Sequence, residues 1–310
     1  MTGITRISTK SFHQGTVNDM TRLQTELTSI SKQISSGNNV QDFTELSKLG
    51  QTERVLGFQN QKAKVDNYIQ NNTIINNRLQ SYNTSVANII DVAESLRNTL
   101  LLRRTPTTGG ELPLQEIVQS DLATVKGNLN VQSEGRYLFS GGRTNTQPVG
   151  DTSQPNYTLN TAGEYDTNAN YYQGDGQKFT INAADALEVE YGITADNPAF
   201  QKLFAAMQLA MQGDLNDDDS MLASAIDMVT ASISDLSSLQ ANINNNITIL
   251  DTANDNHEDF KLYLDQSISD ITETDIGMAS IDFSTAQTTL QAAFSVFSRI
   301  SSLKLSDYLR

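Results

Sequence analysis

Apolar side chains recur at alternating steps of three and four through long stretches of this chain. Tyr68, Asn72, Ile75, Leu79, Tyr82, Val86, Ile89, Ala93, Leu96 and Leu100 step 4-3-4-3-4-3-4-3-4. Ile226, Val229, Ile233, Leu236, Gln240, Ile243, Ile247 and Leu250 step 3-4-3-4-3-4-3, and Phe260, Leu264, Ile268 and Ile271 continue the series. Such spacing places each set on one face of an α-helix, and a face sustained over several heptads demands a partner helix to bury it. Long paired helices are therefore the first constraint on the fold.

The pattern reaches both ends of the chain. Met20, Leu23, Leu27, Ile30 and Ile34 form an N-terminal stripe, in a helix expected from about Val17 to Ser35 and closed by Ser36-Gly37-Asn38-Asn39. Ala279, Phe283, Ala286, Leu290, Ala293, Phe297 and Ile300 form a C-terminal one. Termini are ordinarily where order and hydrophobicity fade. Here Met20, Leu23, Leu27, Ile30, Ile34, Ala286, Leu290, Ala293, Phe297 and Ile300 read as a seam built for contact.

Between the helical halves the text changes character. RRTPTTGGELP, with Pro106, Gly109, Gly110 and Pro113, marks a loop, after which Leu114, Val118, Leu122, Val125 and Leu129 predict a shorter helix. From Gly135 to about Pro198 the chain is rich in Gly, Tyr, Thr and Asn, and RYLFSGG, NYTLNT, QKFTINA and ALEVEYGIT read as short strands. Helix resumes at AFQKLFAAMQLAM. The predicted fold is mainly α, with long antiparallel coiled-coil-like helices formed by both chain ends and a small β-rich inserted domain in the middle. Residues 1–40 with 276–310 form the terminal assembly domain, 41–135 with 197–275 a helical rod, and 136–196 an exposed insert.

Composition excludes several functions. The 36 acidic and 21 basic residues give a net charge of −15, which disfavours nucleic acid and anionic membranes as partners. Without cysteine there is no disulfide and no thiolate metal site. No run approaches the roughly 20 apolar residues of a membrane span, and MTGITRISTKSFHQG offers no signal-peptide core.

No motif carries catalytic chemistry, and no cofactor or metal is expected. His13 and His257 lack acidic partners at ligand spacing and read as solvated or turn-side residues. Asp214, Asn216 and Asp218 imitate the opening of a calcium loop, but Asp219 stands where that loop needs glycine and Ala225 where it needs glutamate. An acidic turn favouring the next helix N-terminus is the better account. Gly174-Asp175-Gly176 lacks the continuation of a phosphate loop, and the sequon at Asn156 carries little weight without a secretory signal.

Several segments carry a resemblance. Arg6-Ile7-Ser8-Thr9 with Leu23 and Gln33-Ile34-Ser35-Ser36-Gly37, then Glu134-Gly135-Arg136-Tyr137-Leu138-Phe139-Ser140-Gly141-Gly142 with Thr144 and Pro148, are the first of these. Tyr171 to Asp175, Tyr191 to Phe200, and Leu290 to Ala293 through Leu305-Ser306-Asp307-Tyr308-Leu309 are the others. In order and spacing they resemble the bacterial flagellin superfamily, and within it the hook-filament junction proteins, over essentially the whole chain. NNVQDFTELSK replaces the family's usual S-D-D-P turn after the first helix.

The resemblance implies a structural subunit of the flagellum, an extracellular protein exported by the flagellar type III route without a cleavable signal. It also implies partners: copies of itself, a hook-side junction protein, flagellin and an export chaperone. A filament-forming flagellin is the alternative within that class. An adhesive module displaying Tyr157, Tyr165, Tyr171 and Tyr172 on a helical stalk is an alternative of another class. A hydrolase would need two acids among Glu164, Asp166, Asp175, Glu188 and Glu190 to converge in one pocket.

Overall fold

The computed structural model describes residues 3–39, 46–47, 50–105 and 112–302, without the side chains of 3–10, 12 and 300–302. Among the described residues six long helices carry the fold: α1 (Gly3–Ser36), α2 (Thr52–Arg103), α3 (Leu114–Leu129), α4 (Pro198–Asn216), α5 (Asp219–Thr272) and α6 (Ile276–Ser302). The chain divides into two compact units, Met1–Lys64 with Phe260–Arg310, and Val65–Asp259.

In the second unit α2 and α5 run antiparallel, as the heptads require. Asn72 Nδ2 donates to Asn254 Oδ1 at 3.0 Å, Asn76 bonds Asp251, and Arg104 forks onto both oxygens of Asp219 at 2.7 Å, so one number falls as the other rises. Every predicted α2 seam residue from Asn72 to Leu100 is buried. Burying a Leu or Ile on such a face contributes about 1.5–3 kcal/mol.

Helix α4 contributes more than its length suggests. It is apolar nearly all round, a signature of a helix enclosed by others, and Phe200, Leu203, Phe204 and Met207 are fully buried. Asn197 caps it by accepting from the Ala199 amide at 3.0 Å, and Pro198 occupies the first turn, where its missing N–H costs nothing. Rings bind the layers together: Tyr82 meets Phe139 edge-on at 4.9 Å, and Phe139 meets Phe200 at 5.9 Å.

Polar groups in this unit are mostly answered. The acidic turn behaves as a helix start: Asp218 Oδ1 accepts from Ser220 N at 2.9 Å and Met221 N at 3.2 Å, opening α5, while Asp214 holds Arg103 at 2.7 Å. Oxygens of Asn72, Asn76, Asn83 and Asn156 are buried without a partner, and Asp121 is the acidic case. It lies on the inner face of α3 between Val118 and Val125, one of its oxygens is buried without a partner, and burial pushes its carboxyl up to about 6.

The β-rich segment makes three separate hairpins instead of one sheet. β1 (Gln132–Ser133) pairs with β2 (Arg136–Tyr137), β3 (Tyr157–Leu159) with β4 (Tyr165–Thr167), and β5 (Phe179–Ala184) with β6 (Leu187–Tyr191). The first turns through Glu134 and Gly135, both at positive φ, as a two-residue hairpin demands. β1 and β4 are too short to leave a sequence signal.

The histidines differ from expectation. Both sit within helices against aromatic rings: His13 meets Phe297 edge-on at 5.2 Å, and His257 stacks on Tyr68 at 5.2 Å while bonding the Ala183 carbonyl. The sequon at Asn156 is also structural, since that residue is buried and its backbone N–H donates to Gln208 at 2.5 Å.

Candidate functional site

The first unit brings the chain ends together. Helix α1 starts at Gly3, well before the expected Val17, and Gly15 sits inside it at the usual penalty of about 1 kcal/mol for a helical glycine. It stops at Gly37, whose φ of 72° is the left-handed conformation that ends helices, with the Gly37 N–H bonded to Gln33 O at 2.8 Å. Asn39 N then donates to Thr272 O and Thr274 N to Gly37 O, stitching the end of α1 to the end of α5. Asp275 caps α6 by accepting from the Met278 amide at 3.0 Å.

Helices α1 and α6 run antiparallel. Asn38 bridges to Glu273 near one end, and His13 touches Phe297 near the other. The predicted seam lies between them, but it is only partly covered. Met20 and Ala286 are buried, whereas Leu23, Leu27, Ile30, Ile34, Leu290, Ala293 and Phe297 are half-buried. Ile300 is on the helix, with its side chain outside the described residues, as are the side chains of Arg6–Thr9 and the segment ending at Leu309.

Further exposed apolar residues on α6 lie outside the seven stripe positions. Ile276, which extends the three-four steps by one, and Phe294 flank the stripe on one side, Met278 and Val296 on the other, and Ile281 lies behind it. Only Asp282 and Arg299 carry charge in the 27 residues of that helix. Its hydroxyls are self-satisfied: Thr285, Thr288 and Thr289 each donate to the carbonyl four residues back at 2.8–2.9 Å. A surface of exposed apolar groups and internally bonded hydroxyls loses little when water leaves it.

The residues of the other readings do not assemble. Tyr171 is buried and donates to the Ala195 carbonyl at 2.8 Å, Tyr172 donates to the Asp175 carbonyl at 2.6 Å, and Tyr157 packs on Tyr165. They make no exposed cluster. The acids are dispersed as well: Glu190 pairs with Lys178 at 2.9 Å, Asp166 accepts from Asn160, and Asp175 holds a turn.

Comparisons with known proteins bear on this helix directly. Residues 220–309 match the family described as the bacterial flagellin C-terminal helical region. The match is confined to that segment, under a third of the chain. That match spans nearly all of α5 and the whole of α6, including every exposed apolar residue named above on α6.

Among solved structures, the flagellar hook-associated protein 3 of Legionella pneumophila shares the fold, at 12% identity and a TM-score of 0.56 over 69% of this chain and 98% of that one. A putative flagellar hook-associated protein of Vibrio parahaemolyticus is similar over 71% of this chain and 96% of that one, at 16% identity and a TM-score of 0.48. The flagellar junction protein of Legionella pneumophila gives 13% identity and 0.45 over 74% and 99%. No curated protein matches the sequence.

The segments that carried the flagellin resemblance interlock in the second unit. Asp175 Oδ1 accepts from Gly142 N at 2.6 Å and Gln177 N at 3.1 Å, and Asp175 N donates to Ser140 O. Gly141, at a φ of 65°, passes so close to the Asp175 carbonyl that any Cβ would collide with it. YLFSGG and YYQGD are therefore two halves of one packed turn.

Proposed function

We propose that the protein is a structural subunit of the bacterial flagellum, an adaptor at the hook-filament junction that assembles through its terminal helices and acts without catalysis. The observation that carries this reading is the α6 surface, where Ile276, Met278, Ile281, Phe294 and Val296 stand in water beside a seam already half filled by α1. Single surface hydrophobes are ordinary, but a nearly uncharged helix that exposes five of them around a half-buried seam suits contact with neighbours on more than one side. Neighbouring copies would meet through unlike patches, head to tail, a contact that propagates instead of closing.

On this reading Met20, Leu23, Leu27, Ile30, Ile34, Ala286, Leu290, Ala293, Phe297 and Ile300 form the assembly seam. Residues 1–40 with 276–310 assemble, 41–135 with 197–275 support them, and 136–196 form the exposed insert. The partners are further copies, a hook-side junction protein, flagellin and an export chaperone, and the chain reaches the exterior through flagellar type III export without a cleavable signal. The hook-associated fold favours the junction; the flagellin match of residues 220–309 favours a second reading, a filament subunit.

Immunogold labelling of intact flagella separates them. A thin band at the hook end is the expected result, and label along the whole filament would replace the junction reading with the filament one.

A further inference from the structure

The second unit contains a cavity of about 280 Å³ that none of the preceding roles uses. Its walls come from α2 and the first and third hairpins, with Arg78, Arg136, Tyr137, Phe179 and Tyr191 among them. Phe179 and Tyr191 are direct cross-strand partners, their ring centroids 5.9 Å apart, and each is only half-buried. Tyr137 is half-buried too. Three partly covered aromatic faces therefore border this cavity, while Tyr82 in its wall is enclosed.

The charges are unbalanced. Arg78 is engaged, holding Glu134 at 2.6 Å with the Tyr191 phenol against it. Among the described residues Arg136 has no hydrogen bond or ion pair, and it senses Glu134 only through space. Glu134 answers Arg78 and Asp175 is taken up by the Gly142 amide, so the exposed Arg136 is the guanidinium in the cavity lining left without a carboxylate partner. The backbone wall at Gly142 is held by its N–H, which donates to Asp175 Oδ1 at 2.6 Å.

We propose that this cavity binds an acidic pyranose, a single sugar ring bearing one carboxylate. The planar fork of Arg136 takes the carboxylate, and the C–H face of the ring lies on Tyr137 and the Phe179–Tyr191 pair. The Tyr82 and Tyr191 phenols are already held by the Leu138 carbonyl and Arg78, whereas Ser133, Thr144 and Tyr137 bring three further hydroxyls to the lining. Ring hydroxyls would answer those groups, whereas a simple aromatic acid would leave them dry and unpaired. The volume, near the lower limit of about 300 Å³ for ligand pockets, suits one ring.

The test is a titration of the full chain with D-glucuronate, D-glucose and benzoate, followed by the tyrosine ring resonances in NMR. Glucuronate should saturate with a Kd on the order of 1 mM, and glucose should bind about tenfold more weakly. Arg136→Gln should weaken glucuronate about tenfold while leaving the Arg78–Glu134 pair and the melting temperature unchanged. Tyr137→Ala should lose comparable affinity, with an unchanged circular-dichroism spectrum showing that the hairpin's support is intact. Equal binding of glucose, tighter binding of benzoate, no saturation, or full affinity in Arg136→Gln would each overturn the proposal. The assembly reading is independent of all these outcomes.

Discussion

The same heptad pattern has two different fates in this molecule. On α2, Leu79, Val86 and Leu96 retain 2%, 0% and 0% of their exposure, closed in by α5 and the layers around it. On α6, Leu290 and Phe297 sit on an equally regular stripe yet are half-buried, and Phe294 and Val296 beside them retain 45% and 52%. Spacing decides which face of a helix is apolar; the number of neighbours decides how much of that face is dry. A surplus of apolar surface over neighbours marks where a partner is missing.

Substitutions in the two seams test that contrast most sharply. Leu79→Asp should abolish cooperative folding, because it places an unpaired carboxylate in a fully buried site. A normal thermal transition in that variant would mean the α2 seam is not the core. Leu79→Ala should still fold, at a loss of about 2–5 kcal/mol.

Leu290→Ala should cost the isolated chain only about 1 kcal/mol, since half of its side chain is already wet. The same variant should fail to assemble in sedimentation experiments and, on the proposed junction role, should shed flagellin from otherwise normal hooks. If the two alanine variants destabilised the free chain equally, the contrast between seams would collapse.

The smallest effect is a pH dependence. Burial holds the Asp121 carboxyl at about 6, above its ordinary value near 4, so the folded chain takes up this proton before the unfolded chain does as pH falls. That group destabilises the fold at neutral pH, and the penalty disappears on acidification through this window. Asp121→Asn should therefore melt higher than the parent at about pH 7, with the gain vanishing by about pH 4. An equal gain at both values would assign the effect to packing instead.

Helices were legible in the sequence because their signal is local and repeated. The α2 series from Asn72 to Leu100 is buried at every position, and Gly37 ends α1 as its left-handed φ requires. The start of α1 was missed because residues before Val17 lack the stripe, although nothing there breaks a helix. The exposed α6 residues were missed for the same reason: Met278, Ile281 and Val296 obey no period.

Tertiary convergence hid the rest. Arg136 comes from the first hairpin and the Phe179–Tyr191 pair from the third, and no spacing along the chain announces that they meet. Gly141, Gly142 and Asp175 showed as turn material and as a family resemblance. Only their packing reveals that one segment excludes side chains from the other.

Asn72 occupies a seam position with a buried amide, its Nδ2 shared between the Ala183 carbonyl at 3.1 Å and Asn254 at 3.0 Å. Smooth apolar stripes can slide past each other in units of seven residues, a travel of about 10 Å, with little change in what they touch. Asn72 is the detent in that track. One such step brings it opposite Ile247, stripping both bonds from a polar group in a dry place, so shear along the α2–α5 pair meets a catch at this residue. On the proposed junction role, a subunit held between hook and filament would need a stop of this kind, and replacing Asn72 by leucine would turn the ratchet into a slide.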